Sequence, residues 1–416
     1  MTNELATPVS RRTILKGAAL GGVATFIAAC TGSKANPAAS AAATPAASAA
    51  ASADASAEPT AAASQVATGP LMFANWPAYI DLAGAAGDSG EYAPGSSPTL
   101  EEFKKQYGVD VNYQEKIGDN PSFVETIKPA LVAGLNTGWD LIVITDWMAS
   151  KIVTSGWVEK IDHANVPNCT ANLADSLKNL PWDPGNDSHY PWQSGMTGVG
   201  YNAKTLTENK IAEPTKIADI YALPADKLSF LSEARDTFGL GLLKLGIDAN
   251  PETITLDDLQ KVADDIQPLV DKGLRFTGNE YLQDFAQKKV WAAFVWSGDL
   301  ASSGGEDDRF IVPEEGALIW TDNMLIPKGA VNKYTAELMM NYVYDPRIAA
   351  QIANYVYYVS PVKGAAEEIK KLDPEAAANP LLFPTPEIVA KQHNFQALSD
   401  EQESKLNDLY STLSGT

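Results

Sequence analysis

Aromatic side chains recur just past apolar runs in this sequence. Trp76 and Tyr79 follow the run ending at Phe73, and Thr145 and Trp147 follow Ile144. Trp296 follows Ala292-Ala293-Phe294-Val295, and Trp320 follows Leu318-Ile319. Carboxylates are mixed among them: Asp299 in Trp296-Ser297-Gly298-Asp299, Asp322 in Trp320-Thr321-Asp322, and Glu233 with Asp236 in Ser232-Glu233-Ala234-Arg235-Asp236. Aromatic faces attract cations through their quadrupole, and carboxylates neutralise ammonium charge at short range. A pocket holding both suits an extended aliphatic amine, with rings over the methylenes and acids at the nitrogens. Each residue alone has an ordinary reading as well. A tryptophan packs in a core or at its rim. Asp236 pairs with Arg235 or caps a helix, and Asp322 holds a turn.

The elements that would position these residues alternate along the chain. Leu71-Met72-Phe73-Ala74, Val109 to Tyr113 and Asp140 to Ile144 have the apolar patterns of strands. Thr99 with Glu102 predicts a capping box for a helix near Thr99 to Tyr107, and Phe123 to Ala133 has helical period. Further helices are predicted at Leu256–Val270, Tyr334–Tyr342, Pro346–Tyr355 and Ala365–Lys371. Strands alternating with helices imply an α/β sheet with crossovers, whose strand ends present ligand sites. One α/β module from Pro70 to Thr416, in two lobes, is expected.

The chain has 416 residues, 45% of them hydrophobic, enough for a substantial core. Its 31 basic and 52 acidic side chains give a net charge of −21, which argues against nucleic acid and permits a cationic ligand. Three histidines and two cysteines leave little material for a Cys/His metal cage. No cofactor is expected. There is no G-x-x-x-x-G-K-[ST] loop, so the chain is not expected to hydrolyse ATP itself.

The N-terminus reads as an address. Ser10-Arg11-Arg12-Thr13-Ile14-Leu15-Lys16 precedes a stretch from Gly17 to Ala29 too short and too rich in Gly and Ala to span a bilayer permanently. It resembles a twin-arginine export signal, the kind that passes folded cargo. Ile27-Ala28-Ala29-Cys30 resembles a lipobox, which makes residues 1–29 a cleaved leader and Cys30 the lipidated N-terminus. The Ala/Ser/Pro/Thr tract that follows cannot repay its ordering entropy by burial, so residues 30–69 are expected to form a flexible stalk. Cys169 then lacks a partner and is expected to be a buried small residue. The layout implies a monomer, lipid-anchored outside the cytoplasm.

Phe73-Ala74-Asn75-Trp76-Pro77-Ala78-Tyr79 resembles the opening strand and Asn-Trp-x-x-Tyr turn of the spermidine/putrescine-binding proteins of polyamine ABC importers. Asp140-Leu141-Ile142-Val143 followed by Trp147, Tyr190-Pro191-Trp192 leading into Gly198-Val199-Gly200-Tyr201-Asn202, Trp296-Ser297-Gly298-Asp299, Glu314 to Met324 and Tyr358-Val359-Ser360-Pro361-Val362 are similar to later blocks of that family, in order. The resemblance implies a two-lobed periplasmic-binding-protein fold of type II, with the ligand between lobes joined by crossing hinge strands. It implies one lobe of residues 70–195 plus 297–327 and another of 196–296 plus 328–416. Trp76, Tyr79, Trp147, Trp296 and Trp320 would form the aromatic box, and Thr145 would supply a hydroxyl. Glu233 and Asp236 fall where the family holds one terminal amine, and Asp299 would be an anion near the hinge. Asp322 completes the carboxylate set. Two departures bear on ligand identity. Ala78 stands where polyamine binders commonly carry Glu, and residues 83–98 look like an insertion.

The function so implied is capture and delivery. Ligand contacts to both lobes favour a closed form, which docks on an ABC permease driven by a separate ATPase. Moving such an equilibrium from 1:99 to 99:1 takes about 5.5 kcal/mol of differential affinity. Cation–π contacts of up to ~2 kcal/mol each, with charge-assisted pairs, are of that order. Competing readings remain. Carboxylate pairs among aromatics also describe glycoside hydrolases. Ser194 lacks the first glycine of a nucleophile elbow. Tyr357-Tyr358 resembles the tyrosine pair of ferric-ion binders, although it also reads as aromatic packing.

Overall fold

A computed structural model describes residues 65–84, 90–395 and 397–415. The leader and Cys30 lie outside the described residues, and so does most of the stalk. Ten strands form one mixed sheet: β1 (Leu71–Asn75), β2 (Val111–Glu115), β3 (Leu141–Thr145), β4 (His189–Asn202), β5 (Leu228–Leu231), β6 (Arg275–Thr277), β7 (Ala292–Trp296), β8 (Asp308–Ile311), β9 (Ala317–Leu325) and β10 (Gln392–Asn394). The strand order is β2-β1-β3-β9-β4-β7-β5-β6, with β10 added to β9 and β8 to β4. The apolar runs became the central strands. Leu141-Ile142-Val143-Ile144 and Ala292-Ala293-Phe294-Val295 are wholly buried, as strands covered on both faces must be.

Two long strands join the lobes. β4 pairs with β9 from His189↔Leu325 to Thr197↔Leu318, antiparallel. The 322–325 end of β9 pairs with β3 in the first lobe, while its 317–319 end pairs with β10 in the second. β4 likewise leaves the first lobe and pairs with β7 from Thr197 to Tyr201. The register slips between Pro191 and Gln193. A proline has no N–H to give a ladder, so a bulge is the usual accommodation.

The lobe limits differ from those expected. The crossing near residue 195 lies within β4, but the chain does not return at 297. It stays with the second lobe through β8, which pairs with β4 from Val199 to Asn202, and crosses in the middle of β9. Residues from about 328 onward were assigned to the second lobe, yet they pack on the first. Asn332 N–H donates to Asp140, Glu337 accepts from Asp162 N–H, and Gln351 donates to Asp81. The chain regains the second lobe only after the helix Ala365–Leu372, through β10 and the helix Asp400–Ser414. The physical reason is polar: Asp140 and Asp81 offer first-lobe carboxylates to this segment, and Glu337 accepts in return from the first lobe's Asp162 N–H.

The predicted helices are present at Leu256–Val270, Lys333–Val343, Pro346–Val356 and Ala365–Leu372. One cap differs. The helix Pro98–Tyr107 begins at Ser97, whose side chain accepts from Leu100 N–H, and Thr99 lies inside its first turn. Proline tolerates the first helical position because its missing N–H would be unsatisfied there anyway. That shifts the start two residues upstream. The described ends of the 83–98 segment are pinned to each other, with Gly95 N–H on Ala83 O and Ala83 N–H on Ser96 O. Cys169 is free and buried.

Candidate binding site

All ten residues expected at the site line one cavity between the lobes: Trp76, Tyr79, Thr145, Trp147, Glu233, Asp236, Trp296, Asp299, Trp320 and Asp322. They converge because β1, β3 and β7 all end there, and β4 and β9 cross beneath. Trp76 follows β1 and its Nε1–H donates to Val143 O at 3.1 Å. The Trp76 and Trp296 rings meet edge to face at 6.3 Å across the two lobes. Tyr79 stands edge-on to Tyr358 at 5.3 Å, and Tyr358 packs on Trp320 at the same separation. These rings form two groups on the cavity wall, Trp76 with Trp296 and Tyr79 with Tyr358 and Trp320. Ala78, by contrast, is not among the lining residues, and its N–H donates to Glu115.

Three carboxylates are oriented by the rings' own polar atoms. Asp322 faces Thr145 across the β3–β9 ladder and accepts from Thr145 Oγ1 at 2.7 Å and from Tyr79 Oη at 2.8 Å. Asp236 accepts from Thr197 Oγ1 at 2.7 Å and from Trp296 Nε1 at 2.8 Å, and Trp320 Nε1 in turn donates to Thr197 Oγ1. Asp299 accepts from Tyr281, Tyr358 and Asn279. Asp236 and Asp299 lie in the first turns of the helices Ala234–Lys244 and Ser297–Ser303, where the helix dipole favours negative charge.

Glu233 is different. Its Oε2 accepts from Asn120, but Oε1 has no hydrogen-bond partner among the described residues. The side chain is buried. Burial, reinforced by Asp236, pushes its carboxyl up to about 8. Burial likewise raises Asp322 to about 7 and Asp236 to about 6. Loss of hydration also takes Asp146 to about 6. Arg235 offsets part of this rise at Asp236 and Asp146, and what remains is a demand for positive charge.

Sequence reasoning did not place Asn120, Asp146, Arg235, Asn279 or Phe395 in the cavity. Asp146 had a usable signal: it stands between two chosen residues, Thr145 and Trp147, at a strand end. Tyr358 had been weighed as half of a metal-binding pair. It faces the cavity and donates to Asp299, whereas its neighbour Tyr357 caps a helix at φ 61° and does not line the cavity. Among the described residues no group of three or more His, Cys, Asp or Glu side chains is arranged to hold a metal ion. Ser194 is engaged with Thr321 in the hinge.

A two-lobed sheet with an acid- and indole-lined cavity at its crossing strands has counterparts among known proteins. A family model for bacterial extracellular solute-binding proteins matches residues 99–384. The chain belongs to this family. It is a substrate-binding transport protein rather than an enzyme, so the hydrolase reading falls away. The spermidine/putrescine-binding periplasmic protein of Escherichia coli K12 is 28% identical over 323 residues, covering 77% of this chain and 84% of that one. The putrescine-binding periplasmic protein PotF of Escherichia coli K12 is 28% identical over 312 residues, covering 70% and 81%. Among solved structures, the spermidine/putrescine ABC transporter substrate-binding protein PotD of Streptococcus pneumoniae superposes with a TM-score of 0.63 at 23% identity, covering 83% and 98%. This solute-binding protein thus shares their two-lobed fold, and its cavity lies between the lobes.

Proposed function

We propose that the cavity captures a polyamine-like cation and that the chain delivers it to an ABC importer. The observation that carries this reading is the unpartnered Glu233 Oε1, buried in a cavity otherwise walled by indole and phenol rings. A buried carboxylate oxygen without a donor is costly, and an ammonium N–H relieves it. Trp76, Tyr79, Trp296 and Trp320 supply the faces, Trp147 lines one end of the cavity, and Asp236, Asp299 and Asp322 supply further charge. Thr145 acts by orienting Asp322. The names of the relatives, spermidine/putrescine- and putrescine-binding, point the same way.

Anchoring at Cys30 through a cleaved leader is part of the same proposal. A lipoprotein of Treponema pallidum, TpPotD, shares the fold with a TM-score of 0.66 at 18% identity. The stalk would let the anchored monomer reach a permease in the same membrane. No described helix is long and apolar enough to cross a membrane.

Isothermal titration of the mature chain with putrescine, cadaverine, spermidine and ferric citrate tests the ligand class. An amine should bind with a stoichiometry of one and raise the melting temperature. Binding of ferric ion with no response to any amine would reject the reading. Metabolic labelling with a palmitate analogue, compared between wild type and Cys30→Ala, tests the anchor.

A further inference from the structure

Arg235 is a cation that the protein itself places in the aromatic box. Its guanidinium carbon lies 4.5 Å from the Trp147 ring centroid and 4.4 Å from that of Phe395. Its Nη2 donates to Phe395 O at 3.0 Å, and Glu403 of the C-terminal helix stands 3.5 Å from Nη1. Glu403 also pairs with Lys151, one turn from Trp147 on the same helix of the first lobe. Arg235 is therefore stacked, hydrogen-bonded and buried, with 4% of its surface exposed. Phe395 and Glu403 lie beyond residues 99–384, the span that the family model matches.

The consequence is spatial. Trp147 was expected to offer a ring face to the ligand, but that face carries Arg235. The cavity that remains measures about 60 Å³. Putrescine is a chain of six heavy atoms and spermidine one of ten. The guanidinium also repels a third ammonium group approaching the Trp147 end.

Resting on the reading of the site as an amine trap, we propose that Arg235, clamped between Trp147 and Phe395, closes one end of the box and restricts the ligand to a short diamine. Arg235 is thus a specificity-determining residue. Phe395 is its positioning partner.

Titration calorimetry of the mature chain with putrescine, cadaverine and spermidine tests this, with Arg235→Ala and Phe395→Ala alongside. Wild type should bind putrescine about tenfold or more tightly than spermidine, with cadaverine between, as expected for methylenes that a closed pocket cannot house. Arg235→Ala should bring spermidine level with putrescine or ahead of it, because it removes both the plug and the positive charge. Phe395→Ala frees the guanidinium without removing it and should narrow the ratio in the same direction. Should Arg235→Ala fail to fold, as judged by circular dichroism, the Phe395→Ala ratio decides. Equal wild-type affinity for the two amines, or an unchanged ratio in a folded variant, overturns the proposal while leaving amine capture standing. No binding of any amine by wild type would instead reject amine capture itself.

Discussion

Glu233 in the second lobe accepts, through Oε2, from both the backbone N–H and the side-chain amide of Asn120 in the first, each at 3.2 Å. One oxygen of a single carboxyl thus bridges the cleft while the other is left without a donor.

That arrangement makes Glu233→Gln a two-way variant. The carboxyl sits near 8 in the folded chain, above its ordinary value of 4.5, because of burial and then Asp236; Asp119 adds to the rise, while Asn120 opposes it. Folding therefore takes up a proton at this site, and its destabilising effect is absent below pH 4.5, grows with pH and is complete above pH 8. The effect is on the order of 5 kcal/mol. At pH 8.5 the ligand-free variant should melt about 4–7 °C above wild type. Its amine affinity should fall by about tenfold or more as charge is lost. Calorimetry with and without ligand measures both.

Amine binding to wild type should release protons. Glu233, Asp322, Asp146 and Asp236, raised to about 8, 7, 6 and 6, must ionise to pair with ammonium. Arg235 nearby stays cationic throughout, its value being lowered only to about 10. Affinity should accordingly climb between pH 5.5 and 8.5. Titrations in buffers of different ionisation enthalpy count the protons, and a flat profile would contradict the charge pairing.

Trp296→Ala removes a ring face and the Nε1–H donor to Asp236 together. The loss should be about 2 kcal/mol or more, roughly thirtyfold in Kd, with little change in far-ultraviolet circular dichroism.

Asp299→Asn should act more on stability than on ligand. Three donors from Tyr281, Tyr358 and Asn279 already occupy its oxygens, so an amide nitrogen removes one acceptor and leaves a phenol hydroxyl to turn or go unmet. A cost of about 1–3 kcal/mol follows, visible as a lower denaturation midpoint in urea. A large affinity loss at unchanged stability would instead show that Asp299 meets the ligand directly.

Gly195→Ala probes the hinge. A Cβ there would stand 2.6 Å from Trp320 Cζ2 and 2.7 Å from Tyr358 Cδ1, so both rings would have to move. Binding should weaken severalfold through ring displacement alone, without loss of any polar group.

The ring positions were legible because β-strand ends are where an open α/β sheet gathers side chains, and an apolar run followed by Trp marks such an end. Trp76, Trp147 and Trp296 obey that rule, whereas Trp320 lies inside β9 and reaches the cavity because that strand crosses between the lobes. Arg235 and Phe395 were not legible as a pair. They are 160 residues apart, and only the docking of β10 beside Ala317–Ile319 brings them together. The lobe limits failed for a related reason. Apolar periodicity defines the helix Lys333–Val343 but does not say which lobe receives it, and that choice rests on Glu337 and Asn332 meeting Asp162, Asn165 and Asp140.

The packing of residues 332–372 on the first lobe has a consequence for the order of events in making this protein. Strands β1 to β3 are complete by Thr145, but the helices Lys333–Val343 and Pro346–Val356 that pack on the first lobe's helices arrive only after residue 332. Neither lobe can mature on a ribosome before most of the sequence has emerged, since long-range pairing must wait for both ends. A fragment ending at residue 330 should therefore be a collapsed, protease-sensitive species rather than a half-sized native one.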